Sequence, residues 1–162
     1  MKKLFFILFI GSMIGLVGCG QTVTSPTTES GEGEDAAVNK EWVVEAEAEQ
    51  KDKDIIVTIH ITNQMEEAVT LDFTSGQKYE IVVVNEEGSE VYRFSNEMMF
   101  TMALTSESFE VGETKTYQET INAEGWSTGT YTVYVDVTAA AINGEETSGD
   151  EQFKAQTELT IE

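Results

Sequence analysis

Basic residues are scarce in this 162-residue sequence: 9 Lys and Arg stand against 30 Asp and Glu, for a formal net charge of -21 and a sequence pI near 4.1. Like charges repel, which argues against DNA, RNA and anionic lipid surfaces as partners. Cysteine is reduced to Cys19 alone, which excludes an internal disulfide framework and every multi-cysteine metal site. Histidine is reduced to His60, so His-cluster zinc chemistry is excluded and a Ser-His-Asp arrangement has no support. No phosphate loop and no nucleophile elbow occurs. The acidic clusters at 32–35, 45–49 and 145–151 lack the spaced Asp/Asn loop with a central Gly and closing Glu of a calcium site, and read as solvated surface. No catalytic, cofactor-binding or metal-binding residue is therefore expected, and no nucleic acid.

What is present suffices for one folded domain. Hydrophobic residues make up 40% of the chain and aromatics 9%, which excludes wholesale disorder and supplies large core side chains. Residues 1–18 read as a signal peptide. Lys2 and Lys3 form a positive start, and residues 4–17 are apolar or small and uncharged, short of the ~20 residues a spanning helix needs. The stretch ends in Leu16-Val17-Gly18-Cys19, which matches the bacterial lipobox. Cys19 is thus expected to be diacylated on sulfur and to become the mature N-terminus. Two or three acyl chains suffice for stable attachment, so the lipid bilayer is the expected partner of acylated Cys19, with the chain facing outside the cytoplasm. Residues 19–40 then read as a disordered tether. Gln, Thr, Ser, Gly and Glu dominate it, with Pro26 and few apolar residues, too little apolar surface to offset the entropy of ordering.

From Trp42 the pattern turns to period two, and residues 41–162 are expected to be a single all-β domain. Ile55, Val57, Ile59 and Ile61 alternate with Ile56, Thr58, His60 and Thr62. Val69, Leu71 and Phe73 repeat the device, as do Tyr79, Ile81 and Val83, followed by Val91, Tyr92 and Phe94. Tyr131, Val133, Val135 and Val137 form the clearest strand, and Phe153 to Ile161 closes the chain. With 42–49 and the weaker, Thr-rich 115–121, about eight short strands are predicted. Asn143-Gly144 is a hairpin turn signal. Short strands at this spacing, with no sustained helical period, indicate an immunoglobulin-like antiparallel β-sandwich.

The middle of the chain is more specific. Asn63, then Phe73-Thr74-Ser75-Gly76-Gln77 and Tyr79, then Glu87-Gly88, Val91-Tyr92-Arg93, Phe100, Val111-Gly112-Glu113, Tyr117 and Gly129-Thr130-Tyr131 follow one another. This order resembles the BsuPI family of intracellular proteinase inhibitors over roughly residues 50–138. The resemblance implies an immunoglobulin-like sandwich and, as founding activity, inhibition of a subtilisin-type serine protease. The chain departs from that type by its lipobox, its acidic tether and a further C-terminal strand.

Candidate contacts follow. Residues 94–109 are the longest stretch without alternation. Phe100 and Leu104 are expected to plug the core there, while Met98 and Met99 are candidates for partner contact, with core packing as the alternative. Arg93, the only arginine, could pair across the sheet with Asp72 or contact a partner beside the methionines. Ser75-Gly76-Gln77 reads as a turn in which Gly76 can take positive φ. His60 is expected to be structural. Two functions stay open: a cell-surface protein-binding module contacting a protease or a cell-envelope component, and a proteinaceous inhibitor of subtilisin-type proteases. No constellation supports an enzyme.

Overall fold

The computed structural model describes residues 41–147 and 151–162. The segments expected as signal peptide and tether, with Cys19, lie outside the described residues. In strand β1 (Trp42–Lys51) and strand β2 (Asp54–Asn63) the period-two pattern becomes a buried row. Ile55, Val57, Ile59 and Ile61 are buried, whereas Ile56, Thr58, His60 and Thr62 lie on the half-exposed face. Each fully buried aliphatic side chain contributes about 1.5–3 kcal/mol, so such a row fixes which face turns inward. Lys51 lies opposite Asp54 in a two-residue hairpin, and Asp52 takes a φ of 57° in its turn.

The chain continues through β3 (Val69–Phe73), β4 (Tyr79–Asn85), β5 (Glu90–Arg93), a four-residue helix α1 (Phe94–Glu97), β6 (Thr105–Phe109), β7 (Thr114–Asn122) and β8 (Gly129–Val137). The hairpin β9 (Ala141–Ile142) and β10 (Glu145–Glu146), a 3-10 turn (Glu151–Phe153) and β11 (Lys154–Ile161) complete it. All eight predicted strands are present. Three more were not anticipated. Strand β6 lies inside the stretch read as a long loop, because Phe109 is its one buried side chain and Thr105, Ser106, Glu107 and Ser108 give no apolar alternation. The β9–β10 hairpin is too short for any periodicity, although its turn was legible: Asn143 and Gly144 have φ of 50° and 81°, as a primed turn demands.

Every pairing is antiparallel. The sheets run in the orders β1-β2-β7, β10-β9-β3-β6 and β11-β8-β4-β5, and the buried side chains of all three meet in one core. Trp42 links them: its ring meets Phe109 edge-on at 5.1 Å and Phe153 at 5.9 Å. Tyr131, near the start of β8, donates its hydroxyl proton to the Ser127 carbonyl at 2.8 Å. That is the tyrosine corner of immunoglobulin-like sandwiches.

Among the described residues, Asn63 is the one buried polar side chain. Its Nδ2 donates to the carbonyls of Glu67 at 2.9 Å and Glu110 at 3.1 Å, with Phe109 more distant at 3.4 Å. Its Oδ1 accepts from the Met65 amide at 2.9 Å. The Asn63 main chain also exchanges bonds of 3.0 Å with Gly112 and Glu113. The amide thereby fastens the end of β2 to the β6–β7 turn. Asn63→Ala leaves buried backbone groups without partners, and is expected to lower the unfolding free energy by about 3 kcal/mol in urea denaturation. A loss below about 0.5 kcal/mol would show that solvent replaces the amide.

Candidate functional site

The segment 98–104 leaves the sandwich between α1 and β6 and is pinned at both ends and in the middle. On the N-terminal side, Phe94 is buried and stacks on Tyr79 with centroids 5.4 Å apart. The Glu80 carboxylate accepts from the Ser95 amide at 3.0 Å and from the Ile81 amide at 3.1 Å. In the middle, the Gly76 amide donates to the Thr101 carbonyl at 2.9 Å, and half-buried Phe100 packs on Phe94 at 5.5 Å. On the C-terminal side, Thr105 enters the ladder opposite Phe73, and its hydroxyl donates to the Ser75 carbonyl at 2.9 Å. Residues 73–77, which with 91–93 are the most specific parts of the family resemblance, thus support this loop.

Gly76 serves the loop in a way the sequence did not indicate. It does not adopt positive φ; a Cβ built there would lie 2.8 Å from Thr101 Oγ1. The nearness of the Thr101 side chain, not a turn conformation, favours the glycine.

Away from the pins the loop is apolar and exposed. Met99 is 99% exposed, Met102 90% and Leu104 82%, and Met98, at φ -119° and ψ 149°, is 48% exposed. Met98 and Met99 thus lie on the surface rather than in the core. Leu104 does not plug the sandwich as expected. The pins at Thr101 and Thr105 hold the neighbouring backbone, and the Leu104 side chain lies outside, on the wall of a shallow groove with Phe73 and Ala140. Met102 was missed, and the one signal for it was its place in a methionine-rich run without periodicity.

The expected Asp72–Arg93 pair does not form, because β3 and β5 belong to different sheets. Asp72 accepts instead from the Ser106 hydroxyl at 2.5 Å and the Gly144 amide at 3.1 Å. Arg93 bonds Glu90 through Nε at 3.1 Å and Nη2 at 2.5 Å, with Glu80 at 4.0 Å. The hydrogen bond from Arg93 holds the Glu90 carboxyl below its ordinary value and raises that of the guanidinium. Arg93 thus stands one strand end from the loop with its guanidinium already engaged. His60 lies on the outer face of β2, 2.9 Å from the Thr116 hydroxyl. Among the described residues no group of three or more His, Cys, Asp or Glu side chains gathers to hold a metal ion.

A polar seam closes the sandwich where β6, β7 and the approach to β4 converge. Glu107 accepts from Lys78 and from the Tyr117 hydroxyl, each at 2.7 Å, and from Lys115 at 3.3 Å. Burial pushes the Glu107 carboxyl up, but the bonds from Lys78, Tyr117 and Lys115 outweigh it and leave the group below the ordinary carboxylate value. Burial and the Glu107 bond push Tyr117 up in turn. A carboxyl depressed on folding stabilises the protein fully above its unfolded pKa of about 4.3, and this stabilisation is lost as pH falls through the folded value. Glu107→Gln is therefore expected to lose about 1 kcal/mol near neutral pH, with the gap to wild type closing below about pH 4. Chemical denaturation at several pH values reads it, and a gap independent of pH would refute the assignment.

Sheet order, tyrosine corner and core define an immunoglobulin-like sandwich that carries a pinned apolar loop. The chain belongs to the BsuPI family, described as intracellular proteinase inhibitor, whose family model matches residues 42–142. No curated protein matches the sequence. Among solved structures, a penta-heme cytochrome c552 from Thermochromatium tepidum is similar at 9% identity and a TM-score of 0.44, over 74% of this chain and 40% of the cytochrome. The CARDB domain of a Pyrococcus furiosus protein, solved with di-metal ions, is similar at 13% identity and a TM-score of 0.41, over 74% of this chain and 90% of that one. A beta-glucosidase from Kluyveromyces marxianus shares 15% identity at a TM-score of 0.40, over 75% of this chain and 14% of the enzyme. The chain thus spans well under two thirds of the cytochrome and of the glucosidase.

Proposed function

We propose that this chain is a lipoprotein, anchored through acylated Cys19 on the outer side of the cell membrane, whose sandwich is a protein-binding module docking through loop 98–104. The observation that carries the reading is the loop itself: Met98, Met99, Met102 and Leu104 face solvent from a backbone fixed at Ser95, Thr101 and Thr105. Apolar side chains on a preorganised backbone enter a partner's pockets with little ordering cost. The anchor rests on the uncharged stretch 4–17 and the lipobox ending at Cys19. Arg93 would sit at the rim of the contact, with Glu90 keeping it in place.

A second reading makes the partner a subtilisin-type serine protease. The extended backbone at Met98, followed by the pin at Thr101, favours it, because a protease groove takes up an extended segment as an added strand. The family's description points the same way.

Titration of the protein against subtilisin with a chromogenic substrate separates the two readings. Loss of protease activity near equimolar ratio supports the inhibitor, whereas rapid cleavage without inhibition rejects it and leaves the binding module. In either case Met98→Ser with Met99→Ser is expected to weaken docking at least about ten-fold while the unfolding free energy changes by less than about 0.5 kcal/mol. A large fall in Tm would make the methionines structural and sink the docking surface. The anchor is tested separately: Cys19→Ala should abolish palmitate labelling and detergent-phase partitioning, and a variant that still labels and partitions rejects it.

A further inference from the structure

We propose that Met98, Met99 and Met102 form an oxidation site at which a peroxide switches off docking through loop 98–104, an inference that rests on the loop being the contact surface. Four methionines fall among the described residues, and three of them lie within five positions of this loop. Met99 and Met102 are almost fully exposed and Met98 is half exposed. The fourth, Met65, is partly buried and packed against the core, so it presents less surface to a reagent in water.

The chemistry needs nothing from the protein beyond that exposure. A thioether lone pair attacks one oxygen of hydrogen peroxide, the O–O bond breaks, an S–O bond forms and water leaves. Sulfur loses two electrons and the peroxide gains them, giving methionine sulfoxide. The product is polar and chiral where the thioether was apolar and adaptable. A loop that docks by burying these side chains would then have to desolvate sulfoxide oxygens.

The geometry separates this effect from stability. The fastening of the loop uses the Gly76 and Thr101 backbone, the Thr105 hydroxyl, the Glu80 carboxylate and the rings of Phe94 and Phe100. None of these contacts involves a methionine sulfur. Oxidation therefore changes what the loop displays and leaves in place what holds it.

The test treats the full chain in detergent with dilute hydrogen peroxide. Peptide mass mapping is expected to show Met99 and Met102 gaining oxygen at least about five-fold faster than Met65. Retention on a phenyl resin should fall with the same time course, Tm should stay unchanged, and methionine sulfoxide reductase should restore retention. Equal oxidation of Met65, unchanged retention, or a fall in Tm before retention falls would overturn the site. Subtilisin titration of the reduced and oxidised chain reads the switch itself. Where the reduced chain inhibits, inhibition lost on oxidation supports it, and inhibition unchanged by oxidation overturns it. A reduced chain that never inhibits, yet loses resin retention on oxidation, rejects the protease reading while the oxidation site stands.

Discussion

The Asn63 amide sits at the end of β2 with no access to water, and the geometry of half the sandwich passes through it. Its donors and acceptor hold the 63–67 turn against the backbone of Glu110, while its main chain is bonded to Gly112 and Glu113. The 110–113 turn is where the chain leaves the sheet of β6 for the sheet of β7. A buried polar group must be fully partnered or it costs more than it contributes, so the amide accepts a narrow set of positions for that turn. Fixing the turn fixes Phe109 against Trp42 and sets β6 in register with β3. That register places Thr105 opposite Phe73, with its hydroxyl in reach of the Ser75 carbonyl, and the C-terminal pin of loop 98–104 follows from it.

The loop is therefore a product of the core rather than an appendage to it. Its supports come from β3, from the 73–77 segment, from Glu80 on β4 and from the stacked rings of Tyr79 and Phe94. Ordering four exposed apolar side chains on a loose loop would cost entropy at the moment of binding. Here folding has already ordered the backbone, and the three methionines retain the adaptability of unbranched thioethers. The same exposure that makes them available to a partner makes them available to an oxidant.

Charge is managed in the same economical way. With 30 acidic against 9 basic residues, cations are few, and several are placed where carboxylates are least solvated. Lys78 and Lys115 converge on Glu107, and Arg93 serves Glu90 with Glu80 nearby. Tyrosine hydroxyls extend the supply of donors: Tyr117 reaches Glu107 and Tyr79 reaches Glu119 at 2.5 Å. Burial, with Glu119, Glu97 and Glu80 nearby, pushes Tyr92 up to about 12, so it too stays protonated among these carboxylates. Other carboxylates bond to the main chain or to exposed lysines: Glu86 accepts from the Thr130 amide at 2.8 Å, and Lys53 pairs with Glu124.

The rows at 55–61, 69–73, 79–83 and 131–137 determined by themselves that this chain folds as antiparallel β, because alternation is a local property and burial of one face follows from it. The turn at Asn143-Gly144 was legible for the same reason: positive φ is a demand on single residues. Met98 and Met99 were legible as candidates for partner contact in an irregular, apolar run, whereas the sequence left core packing open as the alternative and the structure places them at the surface. What the tertiary structure alone decided is everything that depends on which strands become neighbours. Strand β6 exists because β3 offers it a ladder, in spite of a sequence with one buried side chain. Asp72 and Arg93 are separated because their strands join different sheets. Gly76 is needed for the approach of Thr101, twenty-five positions away. Leu104 faces water, although its composition suits a core, because the backbone on either side of it is bonded elsewhere. Hydrophobicity and period are written along the chain, whereas the partner of each buried or pinned group is set by long-range pairing, which no local pattern encodes.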